Sequence, residues 1–147
     1  LPENSRWIMV GRLDLNSSGL LLFTNNGELA NKLMHPSSQL DREYAVRVLG
    51  KVKEEHIKKL TDGVELEDGL ARFDAIAYVG DGENKKELGV ELHSGKNRIV
   101  RRIFEALDYK VVKLDRVSFA GLTKKNILRG KFRHLNEREI GMLKMIK

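Results

Sequence analysis

Two segments of the chain, each eight residues long, carry apolar residues at every second position. Because successive side chains of a β-strand point to opposite faces, this period predicts two strands, each with one apolar face. The apolar faces are Tyr44, Val46 and Val48 in the segment 42–49, and Leu88, Val90 and Leu92 in the segment 86–93. The chain therefore contains a β-sheet that must bury one side.

Helical and further strand patterns surround these two segments. Apolar residues recur at i, i+3, i+4 and i+7 within 96–107, which predicts a helix. Shorter helices are predicted from about residue 27 to Pro36, over 52–60, and over 136–146, where Asn136 and Glu139 form a capping pair. Strands are predicted over 7–13, 19–24, 71–79 and 110–119, with a turn over 80–84. This order predicts one α+β domain over residues 1–147, with a mixed, mostly antiparallel sheet and flanking helices.

Composition narrows the functional classes. The 147 residues include 27 Lys and Arg against 21 Asp and Glu, a formal charge of +6, which favours a polyanionic partner such as nucleic acid. Charge alone leaves a basic protein without such a partner equally open. The absence of cysteine excludes disulfides and thiolate chemistry and fits a cytoplasmic protein. The longest apolar run, residues 19–23, is far too short for a membrane span, so we expect no membrane association.

The sequence lacks the patterns that mark several kinds of active site. The four histidines show no metal-binding spacing, so we expect no metal ion. Neither a nucleophilic-serine motif nor a glycine-rich phosphate or dinucleotide loop is present, which leaves hydride and phosphoryl transfer without support and predicts no cofactor. Carboxylates and basic residues remain as the candidate chemical groups.

Asp14 is the carboxylate in the most unusual position. It follows an apolar strand and precedes small polar residues that would admit a substrate to a carboxylate held rigidly by the strand. The alternative is that Asp14 only starts an Asx turn, a frequent role for Asp before Asn and Ser. Composition by itself favours this structural role.

The predicted helix over 96–107 carries three arginines in different positions. Arg98 and Arg102 project opposite the apolar stripe, where they would face either solvent or phosphate. Arg101 projects to the margin of the stripe, where a partly buried guanidinium needs an anionic partner. Asp14 is a candidate for that partner.

Tyr44 begins the alternating strand over 42–49, between charged neighbours. It fits either a cross-strand aromatic of the core or a platform on which an RNA base stacks.

These segments together resemble the RsuA/RluB/RluE/RluF family of pseudouridine synthases, which act on ribosomal RNA. Residues 11–22 resemble the family's catalytic-aspartate motif, and the pattern continues through 22–36. Arg42-Glu43-Tyr44 resembles its tyrosine motif, and residues 95–102 its basic helix motif. The segment 63–69 is most similar to the large-subunit type B members. The resemblance runs from about Val10 to Gly121 and is less clear over 124–147.

The resemblance implies a pseudouridine synthase-like fold and a function. The implied reaction is cofactor-independent isomerisation of uridine to pseudouridine in ribosomal RNA by a monomer, and the expected substrate is the large-subunit RNA. Family catalytic domains have a leading strand, and usually an S4-type RNA-binding domain, before the aspartate motif, so we expect a partial catalytic domain without its first strand. The alternative is a basic RNA-binding module, derived from such an enzyme, that has no catalytic activity.

The resemblance also implies roles for individual residues. It makes Asp14 the catalytic carboxylate, Tyr44 the active-site aromatic, and Arg101 the ionic partner that keeps Asp14 charged. We expect the remaining site residues to contact phosphates without reading sequence. These are Arg12, Lys96, Arg98 and Arg102.

Overall fold

A computed structural model describes residues 6–80 and 84–146 of the chain. Its strands are β1 (Ile8–Met9), β2 (Ser18–Gly19), β3 (Phe23–Thr24), β4 (Arg42–Leu49), β5 (Val64–Leu66), β6 (Gly69–Ala71), β7 (Ala75–Tyr78), β8 (Glu87–Leu92), β9 (Lys110–Phe119) and β10 (Leu122–Thr123). Its α-helices are α1 (Gly27–Met34), α2 (Glu54–Asp62), α3 (Ile99–Glu105) and α4 (Glu137–Lys144), and a 3₁₀ turn spans Pro36–Ser38. The predicted turn over 80–84 falls partly at 81–83, outside the described residues.

The main sheet has the order β10-β9-β4-β8-β7, with β2 added beside β9. Its pairs are antiparallel except β2–β9, which is parallel. Two small antiparallel pairs, β1–β3 and β5–β6, lie outside it. The predicted α+β class with a mixed, mostly antiparallel sheet is confirmed, and the central strands β4 and β9 have the predicted bounds of 42–49 and 110–119.

Buried apolar residues form two clusters. The larger lies between the sheet and helices α2 and α3, and includes Val46, Leu88 and Phe104. The smaller gathers around α1, α4 and β10 and includes Leu33 and Phe119. Strand β9 reaches both clusters, since it contributes Leu114 to the larger one and Phe119 to the smaller one.

The predicted strands over 7–13 and 19–24 are shorter in the structure. Only Ile8–Met9 pairs with Phe23–Thr24, because Gly11 adopts φ +74°, a left-handed conformation that ends the extended strand. The second segment divides into β2 and β3. Gly19 lies so close to β9 that an added Cβ would be 2.3 Å from the Arg116 carbonyl oxygen, so this position requires glycine.

The prediction of one strand over 71–79 is wrong. β6 ends at Ala71 and β7 begins at Ala75, because the chain turns inward between them to place Phe73 in the larger core. The Phe73 ring packs against Phe104 with 5.3 Å between centroids, and its amide donates to the Leu60 carbonyl. The sequence alone does not show whether an isolated apolar residue such as Phe73 continues a strand or leaves the strand to pack in the core.

The two later helices differ in how well their bounds were predicted. α3 begins only at Ile99, because Arg98 takes a left-handed conformation with φ +53°. Lys96, Asn97 and Arg98 therefore precede the helix. α4 has the predicted capping box between Asn136 and Glu139. The hydrogen bond from Arg133 is the main cause that lowers the pKa of Glu139 to about 2.

Candidate functional site

A cleft of about 1580 Å³ opens between the loop after β1, the starts of β4 and α3, and the hairpin β5–β6. Among the residues that the structure describes, six cations and three carboxylates line it, so its charge favours an anionic ligand. The cations are Arg12, Arg42, Arg72, Lys96, Arg98 and Arg116, and the carboxylates are Asp14, Asp68 and Asp74.

Asp14 reaches the cleft from a β-turn. We call residues 14–17 the aspartate turn; the Ser17 amide donates to the Asp14 carbonyl at 3.0 Å and closes it. The Asp14 side chain is half-buried, and within the described part of the chain its carboxylate has no hydrogen-bond or ion-pair partner. The turn is thus closed by backbone atoms rather than by the Asx side-chain bond, and the carboxylate remains available to a ligand.

Tyr44 lines the same cleft from β4. It is half-buried, packs on the margin of the larger core, and lies opposite Arg116 of β9 and Val90 of β8. Both sequence interpretations of Tyr44 are therefore compatible with its position: one side of the residue contacts the core and another lines the cleft beside the catalytic candidates.

Arg101 does not form the expected ion pair with Asp14. It is buried, 6% exposed, and its Nη2 donates to the Asn16 carbonyl at 2.7 Å, while Nη1 donates to the Val111 carbonyl at 3.3 Å. Its Nε is buried and has no hydrogen-bond partner among residues 6–80 and 84–146. Arg101 lies behind the cleft and holds the backbone of the aspartate turn; it does not line the cavity.

The predicted phosphate contacts are in two different settings. Arg12, Lys96 and Arg98 have exposed side chains on the cleft. Arg102 instead pairs with Asp68 at the tip of the β5–β6 hairpin, with 2.9 Å between Nη1 and Oδ1, and its Nε donates to the Asn97 carbonyl. The Arg102 hydrogen bond is the largest cause that lowers the pKa of Asp68.

Arg116 is a site residue that the sequence reading missed. Only 2% of it is exposed; Nε and Nη2 donate to the Leu20 carbonyl at 3.0 and 2.8 Å, and its guanidinium lies 4.2 Å from the Phe119 ring centroid. Burial lowers its pKa, and Tyr44 opposes that shift. The available signal was the spacing of two between Leu114 and Arg116, which lie opposite Val46 and Tyr44 and so share one face of the sheet.

The sequence reading also missed Arg42 and His93, which define one rim of the cleft. Arg42 Nη1 donates to the Leu40 and His93 carbonyls at 2.7 and 2.9 Å. Gly95 leaves room for this guanidinium, because an added Cβ would lie 2.5 Å from Arg42 Nη2. The His93 ring contacts two carboxylates: its Nε2 is 2.7 Å from Asp41, and its Nδ1 contacts Asp74. Arg42 belongs to the tyrosine motif, but the contacts of His93 with Arg42, Asp41 and Asp74 join residues far apart in sequence, which no local pattern marks.

Neither a metal site nor a membrane helix is found in the described ranges. No group of three or more potential metal ligands occurs among residues 6–80 and 84–146. Within the same residues, every helix is too short or too polar to cross a bilayer.

The fold is that of a known class of RNA-modifying enzyme. A solved structure described as "Crystal structure of pseudouridylate synthase" superposes with a TM-score of 0.83 at 24% identity, over 93% of this chain and 59% of that one. A structure described as an H/ACA RNP bound to a substrate RNA aligns with a TM-score of 0.59 at 16% identity, covering 82% of this chain and 41% of that one. At these identities the likeness establishes the fold alone.

The sequence comparison establishes the family. Residues 1–106 match the family model of RNA pseudouridylate synthases, and the chain belongs to this family. It is 48% identical over 147 residues to the ribosomal large subunit pseudouridine synthase B of Vibrio vulnificus, covering 98% of this chain and 46% of that protein. For the protein of the same name from Buchnera aphidicola, the identity is 50%, covering 97% and 59%. The chain thus spans about half the length of these relatives.

Proposed function

We propose that this chain forms the catalytic part of an enzyme that isomerises uridine to pseudouridine in large-subunit ribosomal RNA. We further propose that the enzyme acts as a monomer in the cytoplasm, where bacterial ribosomal RNA is made. The observation that carries the proposal is the Asp14 carboxylate, which lines a basic cleft beside Tyr44 and has no intramolecular partner among the described residues. Family membership and the names of the relatives support the reaction and the RNA class.

The reaction conserves all atoms of the nucleotide. The bond between N1 and C1′ breaks, the uracil turns, C5 bonds to C1′, and the proton lost from C5 is replaced by one on N1. Asp14 acts either by attacking C1′ as a nucleophile or by removing the 2′-proton of the ribose; both roles need the ionised carboxylate.

The other residues bind and position the RNA. Tyr44 offers the uracil a ring on which to stack, and its hydroxyl assists the removal of the C5 proton. The exposed cations Arg12, Lys96 and Arg98 neutralise phosphates, which fixes the position of the RNA without selecting sequence. Arg101 acts through the backbone, because its hydrogen bond to the Asn16 carbonyl holds the turn that carries Asp14.

The first prediction tests the role of Asp14 in the full-length protein. Pseudouridines are mapped in ribosomal RNA from cells with the protein, without it, and with Asp14→Asn. We expect one or more large-subunit sites to disappear in both the deletion and the variant, because a neutral amide is neither a nucleophile nor a base.

The control is Asp62→Asn, an exposed aspartate at the end of α2 that does not line the cleft. It should leave the map unchanged. If folded Asp14→Asn protein still restores every site, Asp14 is not catalytic. If deletion removes no site, the chain is an RNA-binding module rather than a synthase.

A further inference from the structure

The segment that follows β10 carries positive charge outside the cleft. We call residues 124–134 the basic segment; it contains five Lys or Arg residues and no Asp or Glu. None of its residues lines the cleft, so the reaction described above assigns this charge no role. A cluster of cations without acidic residues among them attracts polyanions, and RNA is the polyanion on which this family acts.

Three of these five cations are unpaired in the part of the chain that the structure describes. Lys124 contacts Asp115 of β9, and Arg133 binds Glu139 of α4 through two hydrogen bonds of 2.8 and 2.7 Å. The remaining three have exposed side chains and make neither an ion pair nor a side-chain hydrogen bond within residues 6–80 and 84–146. Their charge is therefore available to phosphates. These three cations are Lys125, Arg129 and Lys131.

An exposed aromatic ring lies among these cations. Phe132 is 53% exposed and stands between Lys131 and Arg133 in the sequence. The His134 ring meets it edge to face, with 5.8 Å between the centroids. Surfaces that bind single-stranded RNA combine cations that meet the backbone with aromatic rings on which bases stack. The basic segment has both components.

The backbone of the basic segment is folded into two consecutive turns. The Ile127 amide donates to the Lys124 carbonyl at 3.1 Å, and the Lys131 amide donates to the Leu128 carbonyl at 2.9 Å. The two ends are held by the ion pairs of Lys124 and Arg133. The unpaired cations are thus carried on a compact, anchored backbone, which lowers the entropy cost of ordering them on an RNA strand.

The basic segment begins beside the aspartate turn. The Asp115 carboxylate accepts a hydrogen bond from the Ser18 hydroxyl at 2.9 Å and also contacts Lys124. Ser18 directly follows the aspartate turn, and Lys124 is the first residue of the basic segment. Strands β2 and β10 pair with the edge of β9 that faces away from β4, which brings these two residues together. An RNA whose uridine lies at Asp14 therefore has its flanking nucleotides within reach of the basic segment.

We propose that the basic segment is a second RNA-binding surface, which holds single-stranded nucleotides that flank the target uridine. Lys125, Arg129 and Lys131 contact phosphates, and one flanking base stacks on Phe132. This inference rests on the proposed function and deepens it. Because the segment lies outside the cleft, it contributes to RNA affinity and not to the chemical step. Its contribution requires an RNA long enough to reach it.

The test uses the full-length protein and two RNAs that contain the uridine identified by mapping. The short RNA is a minimal hairpin, and the long RNA adds single strands on both sides of that hairpin. Filter binding across a salt series gives the affinity for each RNA. Single-turnover kinetics at saturating RNA gives the rate of the chemical step.

Two triple variants make the same change in net charge. The first replaces the three unpaired cations of the basic segment: Lys125→Gln, Arg129→Gln and Lys131→Gln. The control replaces three exposed lysines near or within α2 that do not line the cleft: Lys51→Gln, Lys58→Gln and Lys59→Gln. Two single variants, Phe132→Ala and Phe132→Tyr, test the stacking ring.

We expect the basic-segment triple variant to bind the long RNA about tenfold or more weakly and to reduce the slope of log affinity against log salt concentration by about two, since each phosphate contact on a single strand contributes about 0.7. Phe132→Ala should bind the long RNA roughly tenfold more weakly, the scale of one stacking contact, and Phe132→Tyr should match wild type. The affinity of these variants for the short RNA and their rates at saturation should equal those of wild type, and the control triple variant should match wild type throughout.

Equal losses of the two triple variants, or equal losses on the short and long RNAs, overturn the second surface and leave the synthase function intact. A fall in the Tm of Phe132→Ala without any change in RNA affinity overturns the role of the ring, because it shows that Phe132 is covered by another part of the full-length chain. If mapping finds no uridine, the synthase function falls and the second surface falls with it.

Discussion

Arg101 directs its hydrogen bonds to backbone carbonyls of two different segments. One is Asn16 in the aspartate turn and the other is Val111 in β9, so a single buried guanidinium joins the aspartate turn to the sheet. A guanidinium suits this role because its donors form a planar fork that remains charged when buried. The residue acts on Asp14 through the position of the turn.

The second prediction concerns Arg101→Met, which keeps much of the volume and removes every donor. We expect a loss of about 1.5–3 kcal/mol of stability, the range for hydrogen bonds to a charged group, and a lower turnover rate. Urea unfolding measures the first and single-turnover kinetics the second. Arg102→Met is the control; Arg102 is the neighbouring, partly exposed residue, and its ion pair with the exposed Asp68 should contribute little to stability.

A double-mutant cycle distinguishes backbone anchoring from an ion pair. Combining Arg101→Met with Asp14→Asn should give nearly additive losses of stability, within about 0.5 kcal/mol, because the two side chains do not bond. A coupling free energy well above 1 kcal/mol would contradict the structure and restore the ion pair that the sequence suggested.

At the scale of elements, the β5–β6 hairpin places an acidic residue against the basic start of α3. Asp68 contacts Arg102 directly, and its Oδ2 is 4.0 Å from Lys96 Nζ. In this position the Asp68 carboxylate pairs with cations that we expect to contact phosphates. The sequence did not predict this hairpin. The acidic residue at its tip lowers the positive charge of a surface that the sequence alone presents as basic.

The third prediction follows from this contact. Asp68→Asn should tighten RNA binding several-fold and steepen the slope of log affinity against log salt concentration by about one, because it releases Arg102 for one more phosphate contact. Filter binding across a salt series measures both. Glu67→Gln, the adjacent exposed residue at the hairpin tip, makes the same change in net charge and should have a smaller effect. Equal effects of the two variants would indicate only a general change of charge.

At the scale of the whole molecule, the cleft lies beside β9, the strand that reaches both hydrophobic clusters. Strand β9 contributes Leu114 to the larger cluster and Phe119 to the smaller one. Between them, Arg116 binds the Leu20 carbonyl, stacks on Phe119 and faces Tyr44. Arg116 therefore connects the segment after the aspartate turn to β9 and to the neighbouring strand β4, which carries Tyr44.

The fourth prediction is that Arg116→Met destabilises the protein by about 2–4 kcal/mol, since it leaves the Leu20 carbonyl without its charged donor and loses the contact with the Phe119 ring. For a chain of this size, thermal unfolding followed by circular dichroism should show a fall of roughly 5–15 °C in Tm. Lys113→Met on the exposed face of β9 should change stability by less than about 0.5 kcal/mol. A Tm of Arg116→Met equal to that of Lys113→Met would show that Arg116 does not connect the two parts.

The sequence by itself determined the features that repeat over several residues. The period of two predicted the bounds and faces of β4, and the helical period predicted α3. The aspartate, tyrosine and basic motifs identified the family, and the match of residues 1–106 to the family model confirms it. The cleft unites Asp14 and Tyr44 with Arg12, Lys96 and Arg98 as expected, while their roles remain predictions.

Only the tertiary structure decided the partners of side chains that meet across the fold. Arg101 binds a carbonyl 85 residues away, Arg102 a carboxylate 34 residues away, and Arg116 a carbonyl 96 residues away. A periodic pattern states which side of an element is buried, because burial depends on local spacing. It does not state which of several acceptors a long charged side chain will reach, because that depends on the distances between elements once they have packed.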